Sequence, residues 1–257
     1  MNYLAKRKCF AEELALKCGK YLKGEFLKGR CPDINWKENS SPVTDIDIAI
    51  SKMVANDINN KFSGDSILTE ETGLTDKGSD LLWVCDPLDG TIPFCSGSAN
   101  FAFSIALLKN ERVILGVVYD PVIDRLLVGQ DKNGTTLNGK RIKMANVKTI
   151  KNGFIDLHTD INKYRLRKEL IKKGCHTITC LSSVYGGMLV ATGGYIAEIS
   201  ETTNPWDAAA LKVIIEEAGG IVTDLVGNEQ LYNQPINGFI ATNRYLHKQL
   251  VEKIHKY

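Results

Sequence analysis

Two carboxylates three positions apart stand at the centre of Trp83-Val84-Cys85-Asp86-Pro87-Leu88-Asp89-Gly90-Thr91. The apolar run Leu81 to Cys85 reads as a strand buried on both faces. It delivers Asp86 and Asp89 into a tight turn, where Pro87 fixes φ and Gly90 permits close backbone approach. Two acids on one short turn can share hard cations, because Mg²⁺ takes oxygen ligands in octahedral geometry. Aspartate is also an ordinary turn residue, which would explain a lone Asp-Pro-x-Asp. The strand before it and the Gly-Thr after it favour a site. Glu70-Glu71 follows a short strand ending at Thr69 and could join the same cluster. Asn204-Pro205-Trp206-Asp207-Ala208-Ala209-Ala210 opens a helix that closes in Glu216-Glu217-Ala218-Gly219-Gly220. There Asn204 suits the cap, Pro205 the first helical position and Asp207 the positive end of the helix dipole, so capping alone accounts for Asp207. Asp45-Ile46-Asp47 precedes another helix, and capping accounts for those acids too.

Other catalytic chemistries lack their residues. No cysteine is followed by five residues and an arginine. Asp45-Ile46-Asp47-Ile48-Ala49 lacks both the strand and the final residue of a phosphoaspartate motif. Gly134 to Lys140 mimics a phosphate loop, but Arg141 stands where Ser or Thr is required and the segment reads as a hairpin. No Gly-x-Ser-x-Gly is present. His158, His176, His247 and His255 show no metal-ligand spacing.

The 257 residues suffice for one large core or two tightly joined lobes, and 44% hydrophobic with 24% charged residues is ordinary for a globular protein. A net charge of +2 argues against a nucleic-acid surface, and the basic stretch Lys163 to Lys173 reads as a solvated helix face. No apolar run reaches the ~18–20 residues that span a bilayer, and no signal peptide is evident at the start. Seven cysteines without Cys-x-x-Cys read as reduced thiols, which places the chain in the cytoplasm.

The elements that must position the carboxylates follow from periodicity. Helices are expected over 4–27, from Thr44 or Asp45 to about 62, and over 162–173, 184–192, 205–218 and 244–256. Strands are expected over 66–69, 81–85, 101–108, 112–119, 125–128, 177–180, 195–199, 221–224 and 238–242, with a loop or short hairpin over 28–43. The pattern gives an antiparallel-rich first lobe, 1–145, and an α/β second lobe, 146–257, with the site between them.

These pieces together resemble the inositol monophosphatase family, within the superfamily that includes fructose-1,6-bisphosphatases and bisphosphate nucleotidases. The carrying motifs are Trp83 to Thr91 and Trp206-Asp207-Ala-Ala, with Glu217-Ala-Gly-Gly220 closing the helix. Val43-Thr44-x-x-Asp47 and Glu70-Glu71 add two further signatures in family order. The resemblance implies an α/β fold, a layered αβαβα sugar-phosphatase sandwich, and hydrolysis of a small phosphate monoester with two or three Mg²⁺ per site. Glu70, Asp86 and the Leu88 carbonyl would bind the first metal, and Asp86, Asp89 and Asp207 the second. Thr91 and Glu70 would position the attacking water, with Asp47 behind them. The backbone at Gly90 and Thr91 would receive the phosphate, and Ser182, Ser183 and Ser200 are candidate substrate contacts beside Asp89. Inositol monophosphate-like polyol phosphates lead the substrate list. Histidinol phosphate, fructose 1,6-bisphosphate and 3′-phosphoadenosine 5′-phosphate are alternatives, and a non-catalytic regulator is the rival class. Li⁺ sensitivity and a homodimer are expected on the resemblance alone, with no membrane or nucleic-acid partner. The chain departs from the family pattern at Thr69, where Gly is usual, and at Ile92-Pro93-Phe94, where Asn commonly follows. It also has Ser200 where the animal enzymes place a sugar-binding Glu.

Overall fold

The computed structural model describes residues 3–29, 33–37, 42–158, 164–201 and 203–256. Residues 30–32 and 38–41 of the expected 28–43 loop, and 162–163 of the helix expected over 162–173, lie outside them. Five layers alternate helix and sheet. The first holds α1 (Tyr3–Phe26) and α2 (Asp45–Lys61). Helical spacing turns Phe10, Leu14, Cys18 and Leu22 of α1, and Ile46, Ile50, Val54 and Ile58 of α2, into one core.

That core covers one face of an eight-stranded sheet built from β3 (Ser66–Thr69), β4 (Gly73–Thr75), β5 (Leu81–Asp89), β6 (Ala102–Lys109), β7 (Arg112–Asp120), β8 (Arg125–Gln130), β9 (Gly134–Leu137) and β10 (Lys140–Ile142). The order is β10-β9-β8-β7-β6-β5-β3-β4. Every pairing is antiparallel except β3 with β5. β5 is buried on both faces, as its apolar run requires. Trp83 and Cys85 join the α1–α2 core, while Val84 points into the next layer.

The middle layer holds α5 (Ser183–Ala191) and α6 (Pro205–Glu217). Ala208, Ala209 and Ala210 let α6 lie close on the sheet. Glu217 accepts from the backbone N–H groups of Lys132 (2.8 Å) and Gly134 (2.6 Å), which fastens the β8–β9 turn to the end of α6. A five-stranded sheet follows, ordered β12-β11-β13-β15-β14. Its strands are β11 (Phe154–His158), β12 (His176–Ile178), β13 (Ala197–Ser200), β14 (Gly220–Thr223) and β15 (Phe239–Asn243). The outer layer is α4 (Tyr164–Lys172) and α7 (His247–His255), whose Leu166, Leu170, Leu250 and Ile254 pack on Ile155, Leu157 and Ile199. The layered α/β sandwich expected from the sequence is the fold.

The structure differs from the sequence reading in particular places. β5 continues past the apolar run to Asp89, with a register shift against β6 between Asp86 and Asp89. β11 is not anticipated, although it lies inside the second sheet, because Asp156 and His158 interrupt its apolar character. The 28–43 segment, in contrast, agrees with the short hairpin expected there: β1 (Ile34–Trp36) pairs antiparallel with β2 (Pro42–Thr44). Lys140 belongs to the β9–β10 hairpin, which removes the phosphate-loop alternative. Arg165, Lys168, Lys172 and Lys173 are exposed, as a solvated face requires, whereas Arg167 of α4 is half-buried. It donates to Thr177, Thr179 and the Leu157 carbonyl. Among the described residues no helix is long and apolar enough to cross a membrane, and Cys9, Cys18, Cys85, Cys175 and Cys180 form no disulfide.

Candidate active site

Four segments end at one point. β5 carries Asp86 and Asp89, and the β5–β6 irregularity between them turns both carboxylates the same way. Asp86 Oδ1 accepts from Leu88 N at 3.0 Å, which closes the turn. Gly90 then adopts φ 90, and a Cβ there would lie 2.6 Å from the Asn100 carbonyl and 2.9 Å from Ser182 Cβ, so only glycine fits. Thr91 opens the five-residue helix α3 (Thr91–Cys95). Asp207 arrives on the first turn of α6, where its carboxylate accepts from Asn204 N at 2.6 Å. One carboxylate oxygen from each of Asp86, Asp89 and Asp207 lies within 4.8 Å of the others. The capping reading of Asp207 and its place in the cluster therefore hold together.

Asp89 is held from the α5 side. Its Oδ2 accepts from the Ser182 hydroxyl and from Val184 N (2.9 Å) and Tyr185 N (3.3 Å), at the positive end of that helix. Thr44 caps α2 and donates through its N (2.8 Å) and hydroxyl (2.5 Å) to Asp47 Oδ2. Asp47 Oδ1 faces the Thr91 hydroxyl at 3.2 Å, and the Leu88 carbonyl lies 3.3 Å from that same hydroxyl. Glu70 leaves the end of β3, with its N–H on the Cys85 carbonyl. Its carboxylate meets Lys37 Nζ at 2.9 Å, and Lys37 also reaches Glu71 at 2.7 Å.

The cavity over these groups has a volume of about 420 Å³, and Glu70, Asp86, Leu88, Asp89, Gly90, Thr91, His158, Ser182, Ser183 and Asp207 line it with Pro42, Ile92 and Leu181. Ser182 and Ser183 are thus on its wall. Ser200 is not: it is fully buried, 3.2 Å from the Ser183 hydroxyl. A second cavity of about 450 Å³ is bounded by Lys212, Glu216, Glu217 and Glu229. Its acids are engaged, Glu217 by backbone N–H groups and Glu216 and Glu229 by Lys212.

Burial dominates the electrostatics. It pushes Asp86 well above the usual carboxylate range, helped by the charges of Glu70, Asp89 and Asp207. Asp207 rises for the same reason, with Asp89 the next cause. Burial takes Glu70 to about 7 against the opposing pull of Lys37. Asp89 goes to about 6, with Ser182 and the α5 N–H groups opposing. Asp47 is also raised by burial, against the hydrogen bonds from Thr44. A buried all-oxygen donor set that repels itself fits a hard divalent cation, which replaces the protons otherwise retained.

A model of the inositol monophosphatase family matches residues 4–257. The chain belongs to the inositol monophosphatase family. Over 217 residues it is 33% identical to the fructose-1,6-bisphosphatase/inositol-1-monophosphatase of Thermotoga maritima, covering 83% of this chain and 82% of that one. It is 27% identical over 255 residues to the histidinol-phosphatase of Chlorobaculum parvum, covering 95% of each. The solved structure of a Thermotoga maritima IMPase superposes with a TM-score of 0.90 at 30% identity, over 98% of this chain and 97% of that one. Within this inositol monophosphatase family member, sequence reasoning missed Lys37 and His158. Lys37 is an isolated lysine in a polar loop and carries no local signal. His158 lies on the unanticipated β11; the histidines show no metal-ligand spacing along the chain, and it is the pairing of β11 with β13 that groups His158 with Asp156 and Glu198.

Proposed function

We propose that this protein is a Mg²⁺-dependent phosphatase that hydrolyses a small phosphate monoester by direct attack of water. The observation that carries the reading is the convergence of Asp86, Asp89 and Asp207, with Glu70 beside them, on a cavity of small-metabolite size. Glu70, Asp86 and the Leu88 carbonyl are read as holding one cation, and Asp86, Asp89 and Asp207 another. Bound there, Mg²⁺ supplies charge neutralisation for the phosphate oxygens and a lowered pKa for a coordinated water.

The chain's own groups do the rest. The Thr91 hydroxyl donates to Asp47 Oδ1, so its lone pairs are free to accept from water. Asp47, fixed at both oxygens, keeps that hydroxyl pointed one way and provides the negative charge that favours proton movement toward it. Glu70 is read as the second group that orients the water, and a cation held there would take the place of the Lys37 ammonium on its carboxylate. Ser182 and the first N–H groups of α5 lock Asp89, so the carboxylate face toward the cavity keeps one geometry. Gly90 and Thr91 form the backbone wall on which the phosphate is placed.

Polyol phosphates of the inositol monophosphate kind are our leading substrates. The names of the relatives support phosphorylated sugars and polyols, and they keep histidinol phosphate as the alternative. Fructose 1,6-bisphosphate and 3′-phosphoadenosine 5′-phosphate complete the series. The exposed rim residues Ile92 and Leu181 are read as setting the choice. Li⁺ inhibition, a homodimer and a cytoplasmic location belong to the same reading. Comparing kcat/KM for the four esters with Mg²⁺ tests it. The highest value should fall on a polyol monophosphate. A preference for histidinol phosphate would move the substrate class while retaining the chemistry, and no hydrolysis of any ester would leave the regulator.

A further inference from the structure

β11 and β13 run parallel, with Asp156 opposite Glu198 and His158 opposite Ser200. Ile155 and Leu157 of β11, with Ala197 and Ile199 of β13, fill the outer core. Alternation therefore turns Asp156, His158 and Glu198 to the other face, against α5. Asp156 and Glu198 are both fully buried. Like charges placed opposite each other on paired strands repel, and buried carboxylates need a compensating charge. Asp156 Oδ1 accepts from Cys180 N at 3.0 Å and lies 3.2 Å from His158 Nε2. Asp156 Oδ2 and both Glu198 oxygens have no hydrogen-bond partner among the described residues, and His158 Nε2 lacks one of good geometry. One ligand atom from each of the three side chains lies within 4.8 Å of the others. The cluster also has a cradle. A Cβ on Gly186, inside α5, would overlap both Glu198 Oε2 and Asp156 Oδ2. The two carboxylates thus converge on bare helix backbone, at a position where glycine is less favourable than alanine by about 1 kcal/mol.

The proposed hydrolysis uses neither Asp156 nor Glu198. We propose that Asp156, Glu198 and His158 form a second cation site, separate from the Asp86–Asp89–Asp207 cluster, that takes a divalent transition-metal ion of the zinc or manganese class. The donor set decides the class. An imidazole with two carboxylates suits Zn²⁺ or Mn²⁺, whereas Mg²⁺ prefers oxygen alone and keeps several waters, for which a fully buried pair leaves little room. Such an ion joins β11 to β13 behind α5, the helix that holds Asp89. It also fixes the imidazole of His158, which lines the catalytic cavity. Its role is to set that wall and stabilise the layer.

The test uses the full chain, stripped with a chelator and then saturated with Mg²⁺ to occupy the catalytic carboxylates. Zn²⁺ and Mn²⁺ are titrated separately by calorimetry into the wild type, Asp207→Asn and Glu198→Gln. A single site should appear in the wild type, persist in Asp207→Asn, and weaken at least ~10-fold in Glu198→Gln. Zn²⁺ should also raise the melting temperature of the wild type. A wild type without such a site leaves a proton shared by the two carboxylates and overturns the proposal. Equal binding by Glu198→Gln, or loss in Asp207→Asn alone, overturns it as well. Should Glu198→Gln fail to fold, the ¹⁵N shift of the His158 Nε2 in the wild type decides. A shift on adding Zn²⁺ supports ligation and an unchanged resonance refutes it. None of these readouts depends on phosphatase activity.

Discussion

Asp86 is the residue on which the catalytic reading turns, since it belongs to both proposed cation sites and its carboxylate is almost wholly buried. Asp86→Asn should lower turnover by about 10³-fold or more. The same change should raise the melting temperature of the metal-free protein, because it removes a carboxyl group whose ionised form burial and four other acids oppose. Calorimetry and phosphate release on one preparation check both effects. Unchanged turnover at saturating Mg²⁺ would remove Asp86 from the mechanism. Thr91→Ala should lower kcat by about 10²-fold with KM changed much less, because the hydroxyl is assigned to water and not to substrate. An increase in KM alone would make Thr91 a binding residue. Asp86, Asp89 and Asp207 were legible in the sequence because each sits in a motif with its own local geometry. Ser200 was not: its register with His158 buries it, and a position inferred from a family substitution carries no information about register.

At the scale of elements, the site depends on how α2 begins. Thr44 accepts from Ile46 N and Asp47 N and donates twice to Asp47, forming a reciprocal cap. Thr44→Ala should destabilise the fold by about 1–2 kcal/mol, measured by urea unfolding. It should also slow turnover, because Asp47 loses a donor and with it the orientation of Thr91. Normal turnover with the expected destabilisation would show that Asp47 is held by the backbone alone. Periodicity identified α1, α2, α5, α6 and the antiparallel run β6 to β8, all of which have continuous apolar faces. It failed where polar side chains are buried. β5 was cut short at Cys85 because Asp86 and Asp89 are acids, and β11 was missed because Asp156 and His158 alternate with Ile155 and Leu157. In both strands the residues that broke the pattern are the ones that converge on a cluster.

For the whole molecule, five layers bring β3, β5, α2 and α6 to one cavity, and the protonation of that cavity couples to stability. Glu70 is raised from 4.5 to about 7 and Asp89 from 3.8 to about 6. A carboxylate raised on folding binds more protons in the native than in the unfolded state, so stability falls as pH rises through that window. Metal-free protein should therefore lose thermal stability between about pH 4.5 and 7, while Mg²⁺ should remove most of the slope. Calorimetric scans with EDTA and with Mg²⁺ check this, and parallel pH profiles in the two conditions would refute it. The layer order was readable from the sequence of helices and strands, whereas the salt link from Lys37 to Glu70 and Glu71 required the chain to be folded. The central claim is metal-dependent hydrolysis of a phosphate monoester, and steady-state phosphate release from inositol monophosphate by the wild type, with and without EDTA, tests it most directly. We predict turnover with Mg²⁺ that is lost with EDTA and recovered when Mg²⁺ is restored; turnover indifferent to EDTA, or none under any metal condition, would contradict the account.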